Sequence, residues 1–309
     1  MSAPSRFFDL SARAKLRLTG ADRVRFLNGQ TTNDVRKAGF DAAQESCVLN
    51  SKGHLDAHVF LFATPNEIWI DADAEVREKL QGRLDRYIIA DDVLVEDTSE
   101  SFALFHVLTE LKPEGVETKF CVRSRRLGRD GWDLWIEPVA AKAATDALAV
   151  TYRLAGENEW ERLRIENGIP RWGRELTSDI IPPEANLAEC AIDYEKGCYI
   201  GQEVISRIKM SGQLRQRLCR LTSENALTPG MELRANTKLV GRITSAAFSA
   251  RLNAHIGLAM VKRGHTDAGT SLAALADGAE INVRVVDSSQ IPCHSERSEA
   301  GSKDPAALP

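Results

Sequence analysis

Apolar and polar residues alternate through AKLRLTG (residues 14–20), and a period of two predicts a strand that breaks at Gly20. The period then lengthens. In ADRVRFLNGQ, Val24 and Leu27 share a helical face, so a short helix follows. HVFLFA and EIWIDA are rich in β-branched or aromatic residues and flank the turn residues TPN, which predicts a hairpin. Over residues 74–89, Val76, Leu80, Leu84 and Ile88 recur at every fourth position, the spacing of an amphipathic helix. DVLVED and FALFHVL read as a strand pair, RRLGRDGWDLWIEP as a hairpin turning at Arg129–Gly131, and AAKAATDALA as an alanine-rich helix. A further helix over residues 157–167 sets Trp160, Leu163 and Asn167 near one face; Gly168 stops it and Pro170 bars its continuation.

Helical periodicity ends near residue 214. LRQRLCRLT, KLVGRITSAAF, HIGLAMV and INVRVVD are short strands separated by Gly, Asn and Pro, which predicts a small antiparallel barrel or sandwich as a C-terminal domain. The chain therefore divides into residues 1–212, read as two α+β subdomains, residues 213–288, the β domain, and residues 289–309, polar and aperiodic, read as a disordered tail. Cys293 and His294 in that tail are adjacent residues in a segment without structure, and they are not read as a metal pair.

Composition narrows the function classes. With 309 residues, 43% of them hydrophobic, the chain can bury its cores without covalent staples. A formal charge of −4 gives no overall attraction to nucleic acid or anionic membrane, so an anionic ligand has to be met by a local patch. Six cysteines lie scattered with no CxxC pair, which suggests neither a zinc site nor a disulfide framework and fits reduced thiols. The N-terminal MSAPSRFFDLSARAKLRL carries charges throughout and lacks a signal-peptide core, and no stretch has the length of a membrane span, so a cytoplasmic location is expected.

Two stretches carry candidate chemistry. In KGCYIGQE (residues 196–203) a cysteine stands between glycine and tyrosine, just before the helix-favouring run QEVISRIK. A helix N-terminus offers unpaired N–H groups and partial positive charge, which eases ionisation of a thiol, and Lys196 would act in the same sense. On these residues alone Cys198 is equally a small buried hydrophobe or an exposed reactive thiol. A hydrolase-type nucleophile would need a histidine base, and none of the histidines sits in a recognisable signature. A single cysteine would have to share any metal with a partner protein.

Upstream, Pro182 and Pro183 pin the backbone before Glu184 and predict an extended, rigid presentation of its carboxylate, suited to two parallel hydrogen bonds from an amidine-like donor such as a pterin ring. Arg207, Arg215 and Arg217 are candidates for a ligand's carboxylate tail. Arg123, Arg125, Arg126 and Arg129 could touch RNA phosphate but read better as a solvated face, and direct nucleic-acid binding is not expected.

KGCYIGQEVISR resembles the signature of the YgfZ-type folate-binding proteins, relatives of the glycine-cleavage aminomethyltransferases that take part in iron–sulfur cluster assembly or maintenance. FLNGQTTNDV, LNSKGHLDAHVFLF, LDRYIIADDVLVED, RIENGIPRWGREL and IPPEANL fall in the order that family shows, over roughly residues 8–285. The resemblance implies an α+β fold of three domains ringed around a central channel that binds tetrahydrofolate. It implies that Glu184 meets the pterin, that Arg215 or Arg217 reaches the glutamyl tail, and that Cys198 is a functional thiol in redox or cluster handling. The partners it implies are iron–sulfur scaffold or carrier proteins and cluster-containing client enzymes, among them enzymes of tRNA modification. The aminomethyltransferases carry an aspartate that assists the folate nitrogen, and alignment sets Ser101 in its place. A hydroxyl cannot do that work, so a folate-dependent one-carbon transferase is the second reading.

Overall fold

In the computed structural model, which describes residues 5–276 and 279–286, strands from distant parts of the chain interleave into two five-stranded sheets and a barrel. The proposed tail, with Cys293 and His294, lies outside the described residues. In chain order the first half runs β1 (Arg6–Asp9), β2 (Ala14–Thr19), α1 (Arg23–Gln30), β3 (Gln44–Leu49), β4 (Leu55–Ala63), β5 (Ile68–Ala72), α2 (Arg77–Asp85) and β6 (Leu94–Asp97). It continues through β7 (Ala103–Leu108), β8 (Phe120–Ser124), β9 (Gly131–Ile136), α3 (Ala141–Ala149), β10 (Arg153–Leu154) and α4 (Glu157–Asn167). The second half holds α5 (Gln202–Ser211), β11 (Gln216–Ser223), β12 (Glu232–Ala235), β13 (Lys238–Ser249), β14 (Ala254–Lys262), β15 (Ser271–Ala276) and β16 (Ala279–Val286).

One sheet has the order β3-β4-β5-β2-β6 and the other β10-β1-β7-β9-β8. The predicted β4–β5 hairpin forms, and its strands are buried on both faces. On one face Val59, Leu61 and Ile70 pack with Leu27, Leu80 and Leu84 of α1 and α2. On the other, Phe60, Phe62 and Trp69 meet Leu104, Val122 and Trp135 of the second sheet. The amphipathic helix is shorter than its periodicity suggests. A 3-10 turn spans Ala74–Val76, α2 ends at Asp85, and Ile89 beyond it is exposed.

DVLVED and FALFHVL do not pair. β6 runs antiparallel to β2 (Leu16 opposite Asp97), whereas β7 joins β1 in the other sheet (Phe7 opposite Val107). The crossover between them is held by Lys15, fully buried, whose ammonium donates to the carbonyls of Ser11, Arg13 and Ser99 at 2.7, 2.9 and 3.1 Å.

Arg126 is not part of a solvated arginine face. It is buried between the sheets, with its Nη1 and Nη2 on Asp71 of β5 at 3.0 and 2.5 Å and its Nε on Asp133 of β9 at 2.9 and 3.0 Å. His106 adds a 2.8 Å contact to Asp133. Burial alone would raise both carboxyl groups, and the guanidinium overrides it, so both lie below the ordinary carboxylate range.

α4 ends, as predicted, at Gly168 in the left-handed conformation (φ 75°). Its buried Arg164 binds Glu175 at 3.0 Å and Ser245 of β13 at 2.6 Å, fastening the helix to the barrel. The barrel is closed in the order β11-β14-β13-β12-β15-β16 and filled by residues such as Cys219, Leu221, Leu233, Ile243, Val261 and Val283. β12 and β15 escape the sequence reading because ELRA is short and SLAALA is too alanine-rich to carry a strand pattern.

Replacing Arg126 by methionine removes the cation that Asp71 and Asp133 share, leaving Asp71 with Arg13 and Asp133 with His106, and should lower the unfolding free energy by about 3 kcal/mol, measured by urea titration. Because Asp71 and Asp133 titrate below their unfolded values, the stability they supply is complete above about pH 4 and is lost as the pH falls further. A wild-type unfolding midpoint that does not fall below pH 4 would contradict this assignment.

Candidate functional site

The cysteine loop is built on a lysine. Lys196 is buried (5% exposed) and points inward, donating to the carbonyls of Asn28, Thr31 and Asn33 at 2.7, 2.6 and 2.7 Å. Burial pulls its pKa down to about 8, against the pull of Asp34 and Asp193. The ammonium is therefore spent on the backbone of FLNGQTTND and does not serve the Cys198 thiol, contrary to the expectation from sequence. Further bonds reinforce the seam. The Asp193 N–H donates to Thr32 O at 3.0 Å, the Ile200 N–H to Gly29 O at 3.2 Å, and the Thr32 hydroxyl to Ala191 O at 2.5 Å. Cys198 itself is exposed, as is Gly197 beside it.

Gly201 ends the loop and begins α5. Its φ is 86°, and a Cβ there would stand 2.8 Å from Asn50 O and 3.2 Å from Gly53 Cα, so only glycine lets the loop press on the Asn50–Gly53 turn. KGCYIGQE, FLNGQTTNDV and LNSKGHLD, far apart in sequence, thus form one contiguous structure. α5 anchors through buried Ile205 and turns Val204 and Ile208 to a cavity of about 720 Å³.

Glu184 lies in the wall of that cavity. Its two prolines set up not an extended strand but a 3-10 turn, Pro182–Ala185, closed by Asn186 in the left-handed conformation (φ 61°). Asn186 fastens the turn to the barrel, donating from Nδ2 to Leu218 O at 2.9 Å and accepting from Arg217 Nε at 2.8 Å. The Glu184 side chain is buried (5% exposed); it accepts a long hydrogen bond from Gln216 Nε2 at 3.4 Å and is also met by the Ile181 backbone. Burial raises its pKa, with Gln216, the Ile181 backbone, His54 and Arg215 opposing the rise. The result is a buried carboxylate acceptor at a cavity wall, suited to a ligand that donates paired N–H groups.

Of the arginines singled out in the sequence, the structure brings Arg215 to this cavity. Arg217 braces the Glu184 turn, and Arg207 lies exposed on α5 in a 2.7 Å pair with Glu203; neither lines the cavity. Ser101 is exposed in a 3-10 turn and also lies outside it; the carboxylates that line it are Glu184 and Asp179. The sequence reading missed Lys52, His54, Gln216, Lys262 and Arg263. For Gln216 a signal existed: alternation in RQRLCR sets it on the strand face opposite Arg217, the face that carries buried Leu218. No group of three or more metal-ligating side chains occurs among the described residues.

Residues 216–290 match the glycine cleavage T-protein C-terminal barrel domain. The backbone superposes on the crystal structure of the glycine cleavage system aminomethyltransferase T from Bartonella henselae with a TM-score of 0.82, covering 92% of this chain and 86% of that one at 18% identity. The fold is thus the one seen in that aminomethyltransferase. In sequence the chain is 27% identical over 307 residues to the aminomethyltransferase of Mycobacterium tuberculosis, covering 90% of this chain and 81% of that protein. It is 29% identical over 281 residues to the mitochondrial iron-sulfur cluster assembly factor IBA57 of Mus musculus, covering 82% and 77%. An aminomethyltransferase and a cluster assembly factor thus lie at similar sequence distance from this chain. Among the described residues, no helix is long and apolar enough to cross a membrane.

Lys196→Met should cost about 3 kcal/mol or more, since three buried carbonyls lose a charged donor. Chemical denaturation measures it; a loss under about 1 kcal/mol would show that water replaces the ammonium.

Proposed function

We propose that this chain is a YgfZ-type tetrahydrofolate-binding accessory protein for iron–sulfur cluster assembly or maintenance, with Cys198 as its working thiol. The observation that carries the reading is Glu184: a buried carboxylate whose side-chain hydrogen bond from Gln216 is long, in a cavity also lined by Val204 and Ile208 of α5, the helix entered directly from the exposed cysteine loop. The residues fit the ligand. Glu184 and Gln216 supply acceptor and donor groups for a pterin, Val204 and Ile208 an apolar wall for its aromatic body, and Arg215 a cation for a carboxylate tail. When bound, tetrahydrofolate supplies a carrier nitrogen for one-carbon units. The protein's own part is to orient it, and to present the Cys198 sulfur on an adjoining surface to cluster-handling partner proteins.

A folate-dependent aminomethyl or one-carbon transferase is favoured by one observation, the whole-chain likeness to an aminomethyltransferase fold. Any proton transfer in the cavity would fall to Glu184, Asp179 or His54, since Ser101 lies elsewhere. Formation of methylene-tetrahydrofolate from methylamine donors at rates typical of enzymes would establish this reading in place of the first.

Glu184→Gln should weaken tetrahydrofolate binding by roughly 10- to 100-fold, because a charge-assisted pair of hydrogen bonds becomes neutral; calorimetry reads it directly. In the wild type, affinity should fall with acidification at a higher pH than an ordinary glutamate would give, since burial raises Glu184 and the bound form uses its ionised state. Cys198→Ser should leave tetrahydrofolate affinity and melting temperature as they are while lowering the activity of cluster-containing enzymes in cells. Full activity in that variant would remove the role assigned to the thiol.

A further inference from the structure

A second cavity, of about 450 Å³, shares no lining residue with the one that holds Glu184. The β3–β4 turn contributes to both, Lys52 and His54 to the Glu184 cavity and Asn50 and Ser51 to this one. The rest of its wall is Asp56 of β4 with α2 and the two residues that follow the helix. Its volume falls in the range of roughly 300–1,000 Å³ usual for small-molecule sites.

The groups in this wall divide into those already committed and those left over. Asp56 is buried (8% exposed) and holds Lys79 Nζ at 3.0 Å and Arg83 Nε at 3.4 Å. Arg83, also buried, gives its other two nitrogens to Gln30 Oε1 at 2.9 Å and Leu49 O at 3.2 Å, and its guanidinium carbon lies 4.0 Å from the centroid of the Tyr87 ring. The ring is thereby braced by a fixed cation, and with 40% of the residue exposed it keeps surface for stacking. Arg86, Glu78 and Ser51 are exposed, and their side chains have no ion-pair or hydrogen-bond partner among the described residues. A glycine completes the wall. Gly82 stands within α2, where glycine costs about 1 kcal/mol relative to alanine. Its φ lies outside the left-handed region and a Cβ there would meet nothing within 4 Å, so neither backbone conformation nor crowding requires glycine. What a longer side chain would take is the space of the cavity.

From this set we infer that the cavity beside α2 binds a nucleoside phosphate. The Arg86 guanidinium and the protons of Lys79 not given to Asp56 meet the phosphate, the Glu78 carboxylate accepts from the ribose hydroxyls, and the Tyr87 ring stacks on the base. Each group alone would fit many ligands; a free guanidinium, a free carboxylate and a braced aromatic ring in one cavity match the three parts of a nucleotide. Arg83 ties this wall to the cysteine loop, because it holds Gln30, the neighbour of Gly29, whose carbonyl accepts from the Ile200 N–H. The inference does not rest on the folate reading, since the two cavities have no lining residue in common.

Calorimetric titration of the full chain with ADP, GDP, adenosine and inorganic pyrophosphate tests it. At least one of the two nucleotides should bind with one-to-one stoichiometry, and adenosine and pyrophosphate, each lacking part of the ligand, should bind at least about tenfold more weakly. Arg86→Gln should weaken nucleotide binding about tenfold through the lost charge-assisted hydrogen bonds, and Tyr87→Leu by about the same factor through lost stacking. Gly82→Gln sets a long side chain in the cavity while favouring the helix, so nucleotide binding should disappear with a melting temperature equal to or above that of the wild type. No saturable binding of either nucleotide overturns the inference, as does nucleotide binding that survives Gly82→Gln. Pyrophosphate binding as tightly as the nucleotides would also overturn it, because the site would then be one for a bare anion.

Discussion

The ammonium of Lys196 and its three carbonyl partners hold the candidate site in one piece. That clamp ties the cysteine loop to the end of α1 and the segment after it, and the backbone bonds of Asp193 and Ile200 reinforce the joint. With it, the loop's backbone is fixed at Lys196 and again at Ile200, Gly201 can press on the Asn50–Gly53 turn, and α5 starts in the one place from which Val204 and Ile208 reach the cavity. Burying a lysine costs desolvation, and the lowering of its pKa to about 8 registers that cost. Three short hydrogen bonds from the charged group offset it.

Lys15 uses the same device at the crossover between the two sheets, and Arg126 a related one between their facing surfaces. All three lie where the chain makes a connection that local pattern does not dictate. In each, a cation gathers acceptors from separate segments. This fold therefore invests its buried cations at its seams, while its cores are assembled from ordinary aliphatic and aromatic packing.

This also explains what could be read from the amino-acid sequence. The β4–β5 hairpin announces itself by its β-branched and aromatic runs around a turn, and α1, α3, α4, α5, β11, β13, β14 and β16 by local pattern. The partition of β6 and β7 between sheets does not, since both strands have the right pattern and only their partners, β2 and β1, separate them. Lys15, Lys196 and Arg126 were illegible for a related reason: long cationic residues are ordinarily solvated, and nothing local marks the ones that point inward. At the site, Glu184 and Arg215 were legible from their motif, but the rest of the cavity was not. Lys52 and His54 come from a turn more than 120 residues before Glu184, and Lys262 and Arg263 from the far end of the barrel. The proline pair was read as stiffening, which it provides, but as a 3-10 turn whose direction is set by Asn186 and not as an extended strand.

Cys198 lies midway between two fixed points, two residues after the clamped Lys196 and two before Ile200 with its bond to Gly29. A tether of two residues reaches about 7 Å at full extension. The sulfur is thus on a short leash, free to turn at the surface but unable to travel, and whatever it exchanges with must be carried to it. Delivery in such an arrangement falls to the visitor, and the loop works as a fixed berth.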